Sequence, residues 1–243
     1  MSVVCGPQEP EALAVIEGRA RQLDVPFLLA GREIDVGGAR PEEPPGLVFD
    51  LRTPQGRRRG LRLGLLGAHQ AVNAAMAVAA AELAAERGGL LLSDDSVREG
   101  LARVEAPARV EVIPGTPILV LDAAHNPAST RALAEALRFH FGDRRVVLLF
   151  GMAGDKDVAG TLRQILPLAR AVVATTNLSP RSVEPEEVVR LAREGGCAEV
   201  YAESDVPKAL TLARGLCQPG EMLVVTGSFY LAGAVRPMLL ERR

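Results

Sequence analysis

Residues 118–127 of this chain are I-L-V-L-D-A-A-H-N-P, an apolar run that ends in a polar turn. Such a short apolar run is typical of a strand that is buried on both faces of a sheet. Similar runs occur at 146–150, 171–174 and 223–225. Helical periodicity follows them, and helices are predicted at 129–139, 159–168, 185–193, 206–216 and 230–240. This alternation predicts an α/β domain with a mostly parallel, Rossmann-like sheet.

Polar or glycine-bearing turns follow three of the predicted strands, at 122–127, 151–157 and 226–230. In a parallel α/β sheet, ligands bind outside the carboxyl ends of the strands. We therefore expect the three turns to meet at one edge of the sheet. The pattern alone predicts a site for an anion or a nucleotide.

Asp122 and His125 are the titratable residues of the first turn. Asp122 can accept hydrogen bonds from the hydroxyl groups of a sugar, and His125 can face a phosphate or a ring. Equally, Asp122 can cap the next helix and His125 can be an ordinary surface histidine. The residues alone leave both interpretations open.

The second turn, G-M-A-G-D-K-D, contains two glycines and Lys156, which can hold an anion through backbone N–H groups and one ammonium. A plain turn with a capping aspartate explains it equally well. It lacks the Walker A spacing. Ser228, in the third turn, stands where a helix N-cap is expected.

The first half of the chain is predicted to hold a helix at 9–23, an extended segment at 27–30, a hairpin of 47–53 with 58–65, an alanine-rich helix at 68–87 and a short helix at 96–104. The apolar stripe expected on the alanine-rich helix is Val72, Met76, Ala79 and Leu83. The run 57–59 is three arginines at the hairpin tip, which predicts a solvated loop, with a phosphate-steering patch as the alternative.

Two further polar residues are candidates because of where they lie. Asn73 is an unusual residue inside an alanine-rich helix, and taken alone it indicates a hydrogen-bonded structural side chain. Arg109 is expected in a strand, where Ala108 and Val110 share one face and Arg109 the other. Taken alone, this pattern predicts that Arg109 forms an ion pair at the edge of a sheet.

Length, charge and cysteine content limit the number of domains and the kinds of partner that this protein can have. The 243 residues allow two modest domains, predicted as 1–106 and 107–243, and the net charge of −2 disfavours nucleic acid and membrane surfaces as partners. Three cysteines without C-x-x-C spacing predict neither disulfides nor a zinc site, and three widely separated histidines predict no metal site. No signal peptide or membrane span is evident, so a cytoplasmic location is expected.

Five motifs occur together in a recognisable order: 67–77 (G-A-H-Q-A-V-N-A-A-M-A), 108–127 (ending D-A-A-H-N-P), 151–157, 176–182 (T-N-L-S-P-R-S) and 226–236 (T-G-S-F-Y-L-A-G-A-V-R). With residues 8–17 they resemble the folylpolyglutamate synthase/dihydrofolate synthase family of the Mur ligase superfamily. The likeness extends over essentially the whole chain. Ala123 departs from it, since glycine is usual at that position.

The resemblance implies an ATP-dependent amide ligase of folate and one-carbon metabolism. Its partners would be ATP, L-glutamate and a folate or dihydropteroate. It places Asn73 on the adenine side of ATP, and Arg109, Asp122 and His125 near the phosphates and ribose. Lys156 and Ser228 would hold the incoming glutamate.

The resemblance also implies a division of the chain. Residues 1–106 correspond to the last part of the family's central ATPase domain, and 107–243 to its C-terminal domain. The family's phosphate loop and Mg²⁺ ligands are expected in a preceding region. Three hypotheses follow: part of a full ligase that is inactive alone, a non-catalytic nucleotide-binding remnant, or an unrelated α/β enzyme of small molecules.

Overall fold

A computed structural model describes residues 1–43 and 46–240 of the chain. The chain divides into two compact units, unit 1 (Met1–Glu105) and unit 2 (Ala106–Arg243). Within the described ranges, no helix has both the length and the apolar character that a membrane crossing requires.

Unit 1 contains, in chain order, β1 (Val3–Cys5), α1 (Pro10–Gln22), β2 (Phe27–Leu29), β3 (Asp35–Glu42), β4 (Gly46–Thr53), β5 (Gly56–Leu63), α2 (Ala68–Gly88) and α3 (Asp94–Arg103). Strands β1 and β2 pair in parallel, whereas β3, β4 and β5 form an antiparallel sheet. The predicted hairpin is therefore confirmed as β4 and β5. Strands β1 and β3 were not predicted, because β1 is only three residues long and β3 has no apolar run.

The buried face of α2 differs from the predicted stripe. Of the four predicted residues only Ala79 is fully buried. The residues that α2 buries are Gln70, Ala71, Ala74, Ala75, Val78, Ala79 and Glu82. The buried face of α2 consists mostly of small alanines, which let the helix lie close to Phe49 and Leu51 of β4 in the same core cluster. The positions of the larger side chains therefore do not indicate which face of α2 is buried.

The arginine run contains one buried residue, which corrects the prediction of a solvated loop. The Arg58 side chain is 9% exposed and its Nη1 donates to Oε1 of Glu82 at 2.5 Å, a carboxylate that is 2% exposed. Its Nε donates to Oδ1 of Asp94 at 2.8 Å. Arg58 thereby ties β5 to α2 and α3. The neighbouring Arg57 is exposed, as predicted.

Unit 2 contains β6 (Glu111–Ile113), β7 (Ile118–Leu121), α4 (Pro127–Phe141), β8 (Val146–Phe150), α5 (Val158–Ile165), β9 (Ala169–Ala174), α6 (Pro185–Glu194), β10 (Glu199–Ala202), α7 (Val206–Leu216), β11 (Met222–Thr226) and α8 (Phe229–Leu240). A short 3₁₀ turn (Leu166–Leu168) extends α5. The strand order is β10-β9-β8-β11-β7-β6, and only β6 is antiparallel to its neighbour. The mostly parallel sheet is confirmed.

Two details of unit 2 differ from the sequence prediction. Arg109 does not lie in a strand, because Ala108 and Val110 have positive φ angles of 56° and 49° and β6 begins only at Glu111. The segment is a tight turn that precedes the strand. Strand β10 was missed because it is a sheet edge with an exposed glutamate and tyrosine, so it lacks the apolar run of the central strands.

Candidate functional site

The carboxyl edge of the unit 2 sheet brings three loops together. Strand β11 lies between β7 and β8, so the segments after these strands are neighbours. Backbone hydrogen bonds join them: Asp122 N–H donates to Val225 O at 2.9 Å, Gly151 N–H to Thr226 O at 3.3 Å, and Gly227 N–H to Ala124 O at 3.0 Å. The expected convergence of the turns is present.

Two glycines allow the backbones of these loops to touch. Gly227 has a φ of +112°, and a Cβ atom there would lie 2.6 Å from the carbonyl oxygen of Gly151. A Cβ on Gly151 would lie 2.8 Å from the carbonyl oxygen of Thr176. Only glycine fits such contacts without displacing a loop. Gly227 therefore permits the contact between the loops after β11 and β8, and Gly151 permits the contact between the loops after β8 and β9.

Asp122 organises the backbone at this junction. It is buried, its Oδ1 accepts a hydrogen bond from Ala124 N–H at 2.7 Å, and its Oδ2 accepts one from Val110 N–H at 2.9 Å. Burial raises the pKa of Asp122, against the opposing effect of these two bonds and of the Arg109 and His125 charges. One carboxylate thus holds both the turn that carries Arg109 and the turn that carries His125.

Asp122 is not the cap of the following helix, so that alternative is wrong. The N-cap of α4 is Asn126, whose side-chain oxygen accepts from Ser129 N–H at 2.8 Å. Ser129 Oγ accepts in return from Asn126 N–H, which completes a capping box. The Asp122 carboxylate is therefore used between loops and not within one helix.

Arg109, His125 and Phe229 form a small cluster beside Asp122. The exposed Arg109 guanidinium carbon lies over the Phe229 ring, 4.9 Å from its centroid. Arg109 therefore contacts an aromatic ring, where a strand-edge ion pair was expected. The half-buried His125 ring lies 6.3 Å from the same centroid, and its Nδ1 is 3.0 Å from Ala123 O. A cation and an imidazole thus lie next to the same aromatic ring beside the loop junction.

Lys156 and Ser228 occupy the other two loops. Lys156 is exposed in the turn before α5, and the next residue, Asp157, caps that helix by accepting from Gly160 N–H at 2.8 Å. Ser228 is 6% exposed, and its Oγ accepts from Leu231 N–H at 3.1 Å in the first turn of α8. The predicted N-cap role of Ser228 is confirmed.

Asn73 belongs to unit 1, whereas the other five candidate residues belong to unit 2. It lies exposed on α2, and its Nδ2 donates to Oε1 of Gln70 at 3.0 Å. This hydrogen bond agrees with the interpretation of Asn73 as a structural side chain. Its exposure also leaves it accessible to a ligand.

Sequence reasoning assigned no role to two polar residues and one aromatic residue at this edge. Asn177 is 1% exposed, and its Oδ1 accepts from Ser179 N–H at 3.1 Å, which shapes the loop after β9. Thr175, at the start of that loop, has a buried hydroxyl without a hydrogen-bond partner among the described residues. Phe229 had a usable signal, because it is one of only six phenylalanines and lies within a strand-end turn.

The described ranges contain no group of three or more His, Cys, Asp or Glu side chains that is arranged to hold a metal ion. At the sheet edge itself, the two oxygens of Asp122 already accept backbone hydrogen bonds. The described residues therefore do not fit a resident Mg²⁺ site.

Comparison with known proteins identifies the family. A family model described as Mur ligase, glutamate ligase domain, matches residues 108–229. The dihydrofolate synthase/folylpolyglutamate synthase of Mycobacterium tuberculosis is 32% identical over an alignment covering 97% of this chain and 51% of that protein. The folylpolyglutamate synthase of Lacticaseibacillus casei is 31% identical, covering 98% of this chain and 54% of that protein.

A solved structure gives the same result. Mycobacterium tuberculosis folylpolyglutamate synthase complexed with ADP matches with a TM-score of 0.89 and 33% identity, covering 97% of this chain and 54% of that one. The chain spans about half the length of these relatives. On the evidence of its sheet, its loop junction and these matches, the chain belongs to the Mur ligase family.

Proposed function

We propose that this chain supplies the glutamate-ligating part of an ATP-dependent amide ligase that joins L-glutamate to a folate or a dihydropteroate. The observation that carries the proposal is the junction in which Asp122 holds the turns of Arg109 and His125 at the carboxyl edge of the sheet. Ligands of α/β sheets bind at this edge. The names of the two relatives supply the substrate class.

The proposed reaction has two steps. An oxygen of the folate carboxylate attacks the γ-phosphorus of ATP, which forms an acyl phosphate and releases ADP. The amino nitrogen of glutamate then attacks the acyl carbon and loses a proton, while the carbon–oxygen bond to phosphate breaks. The products are an amide, ADP and phosphate. Because phosphate leaves in the second step, positive charge near its oxygens favours both steps.

Arg109 is the residue proposed to provide that charge. A guanidinium stays protonated and can donate two parallel hydrogen bonds to a phosphate. Arg109 is exposed, and the turn that carries it is anchored by the neighbouring Val110 N–H. We assign His125 to the same phosphate and ribose region, with Asp122 holding both turns in place.

Lys156 and Ser228 are proposed to hold the incoming glutamate. The exposed ammonium of Lys156 can pair with a carboxylate of glutamate. The Ser228 hydroxyl accepts from Leu231 N–H, so its own O–H proton can still be donated to a carboxylate oxygen. Asn73, in unit 1, is proposed to face the adenine.

The remaining predictions concern the context of the chain. We infer that residues 1–106 correspond to the end of the family's ATPase domain and 107–243 to its C-terminal domain. Mg²⁺ is expected to be held by residues outside this chain. A cytoplasmic location stays a prediction.

A second candidate function is suggested by the exposed Arg109 cation at the sheet edge, which can bind an anion without any chemistry. A non-catalytic module that binds nucleotide through the same edge would use Arg109 and Asp122 without turnover. For the chain by itself, we expect weak ATP binding and no ligation.

The two functions are separated by measuring ADP release with ATP, Mg²⁺, a folate and L-glutamate. The chain is assayed alone and fused behind the aligned first half of the Mycobacterium tuberculosis relative. The proposed function predicts ADP release over many turnovers by the fusion only when folate and glutamate are both present, and its loss in an Arg109→Ala fusion. A folded fusion without glutamate-dependent turnover, together with ATP binding by the chain alone, supports the binding module and contradicts the ligase.

A further inference from the structure

Phe229 is an aromatic side chain at the candidate site to which neither the sequence motifs nor the proposed reaction gives a role. It is the first residue of α8 and is 49% exposed, in a chain with only 3% aromatic residues. An exposed phenylalanine is by itself uninformative. Its two neighbours make it informative, because they are Arg109 and His125.

We propose that Phe229 is a positioning residue whose ring fixes the Arg109 guanidinium, beside the His125 imidazole, for an anionic ligand at the sheet edge. The inference rests on the proposed function and adds to it the contact that holds the Arg109 cation in place. It assigns Phe229 no contact with the reacting atoms.

The first step of the argument is the orientation of the cation. The Arg109 guanidinium carbon lies over the Phe229 ring at 4.9 Å from the centroid, within the range of a cation–π contact. A guanidinium has five N–H donors, and a ring on one side of it leaves most of them accessible. These are the donors that bind a phosphate.

The second step is the loss of freedom on binding. A long exposed arginine has many rotamers, and a ligand that immobilises it loses affinity accordingly. Here the backbone at Val110 is held by Asp122, and the side chain of Arg109 is held by Phe229. The cation is therefore ordered at both ends before a ligand arrives.

The third step is the position of the ring in the fold. Phe229 directly follows Ser228, whose Oγ caps α8, and Gly227, whose N–H donates to Ala124 O. The Phe229 backbone is thus tied to the loop that carries His125. The ring joins the segments after β7 and β11 with the turn before β6, which explains how it reaches both polar residues.

The test is a titration of the isotope-labelled full chain with ADP, followed by nuclear magnetic resonance at the Arg109 Nε–H group and at the backbone amides. The variants are Phe229→Leu, which removes the ring, and Phe229→Tyr, which keeps it. The matched control is Tyr230→Leu, which removes a ring that is 62% exposed at the next position of the helix.

We expect Phe229→Leu to move the Arg109 Nε–H resonance without ligand, because the ring current is lost, and to weaken ADP binding about threefold. Phe229→Tyr should retain both properties, and Tyr230→Leu should change neither. In the Arg109→Ala background, Phe229→Leu should have no additional effect on affinity, since the two residues act as one unit.

Three results would overturn the proposal. If Phe229→Leu moves the resonance but leaves the affinity unchanged, or if its effect persists in the Arg109→Ala background, Phe229 does not act through Arg109, while the proposed function stands. If the wild-type chain shows no ADP binding at the sheet edge, the proposed function fails and the inference fails with it.

Discussion

The carboxylate of Asp122 accepts a hydrogen bond from the backbone N–H of Val110 across 2.9 Å, although twelve residues separate them in the sequence. The bond joins the end of β7 to the turn before β6. Because Arg109 precedes Val110, the position of the candidate cation depends on a buried acid that need not touch the ligand. Asp122 therefore has a structural role in the candidate site, because it holds the turn that carries the cation and the turn that carries His125.

Asp122→Asn tests this anchoring. An amide group has only one acceptor oxygen, so either Val110 N–H or Ala124 N–H is left buried without a partner. We expect the free energy of unfolding to fall by about 2 kcal/mol. Urea denaturation measures the change, and Asp157→Asn is the control, since asparagine caps a helix as well as aspartate does. Equal stability of the two variants would argue against the anchoring role.

Gly227→Ala tests the close contact of the loops. Its Cβ would lie 2.6 Å from Gly151 O at a φ of +112°, so we expect a loss of about 2 kcal/mol or more. Gly233→Ala is the matched control within α8, where a Cβ meets nothing within 4 Å. That change should stabilise the helix by about 0.5–1 kcal/mol. Thermal unfolding of both variants would show opposite shifts, and shifts of the same sign would refute the contact.

The buried Arg58–Glu82 pair in unit 1 predicts non-additive substitutions. Arg58→Ala leaves the 2%-exposed Glu82 without its cation and should cost about 3 kcal/mol. Arg58→Met combined with Glu82→Leu should recover most of that loss, because no charge is then buried alone. Arg57→Ala, at an exposed side chain, should cost less than about 0.5 kcal/mol. Denaturant unfolding that showed equal costs for Arg57 and Arg58 would contradict the structure.

His140, in the last turn of α4, predicts a pH dependence. Burial lowers its pKa from 6.5 to about 4, so the folded chain favours the neutral ring. Its contribution to stability is therefore present above pH 6.5 and is lost as the pH falls towards 4. Because the ring is only half-buried, we expect a loss of about 1 kcal/mol relative to His140→Gln. The difference between the two unfolding free energies at pH 7.5 and pH 5 gives the result, and a difference independent of pH would disprove it.

The central strands of unit 2 could be predicted because burial on both faces leaves a local signal. The bounds of β7 and β8 follow directly from their apolar runs. The meeting of the three loops follows from the general rule for parallel sheets. Other features are set by partners distant in sequence, which a local pattern does not contain. The burial of Arg58 depends on Glu82, and the inner face of α2 depends on the sheet below it.

In the candidate site, too, the positions with a local sequence signal could be predicted, and the contacts between distant residues could not. The sequence located Asp122 and His125 at a strand end, but not the use of Asp122 between two turns, because that role depends on Val110. It placed Arg109 in a strand because apolar and charged residues alternate there. The positive φ angles of its two neighbours turn that segment out of the sheet. The contact between Arg109 and Phe229 joins residues that are 120 positions apart, so no local sequence pattern predicts it.

The most direct test of the proposed site is a titration of the labelled wild-type chain with ADP, with backbone amide shifts mapped along the sequence. We predict that the largest shifts fall at 109–110, 122–125 and 227–229, and that ADP binds weakly, with a dissociation constant on the order of 1 mM. Saturable shifts confined to other parts of unit 2, or no saturable shifts at all, would contradict it.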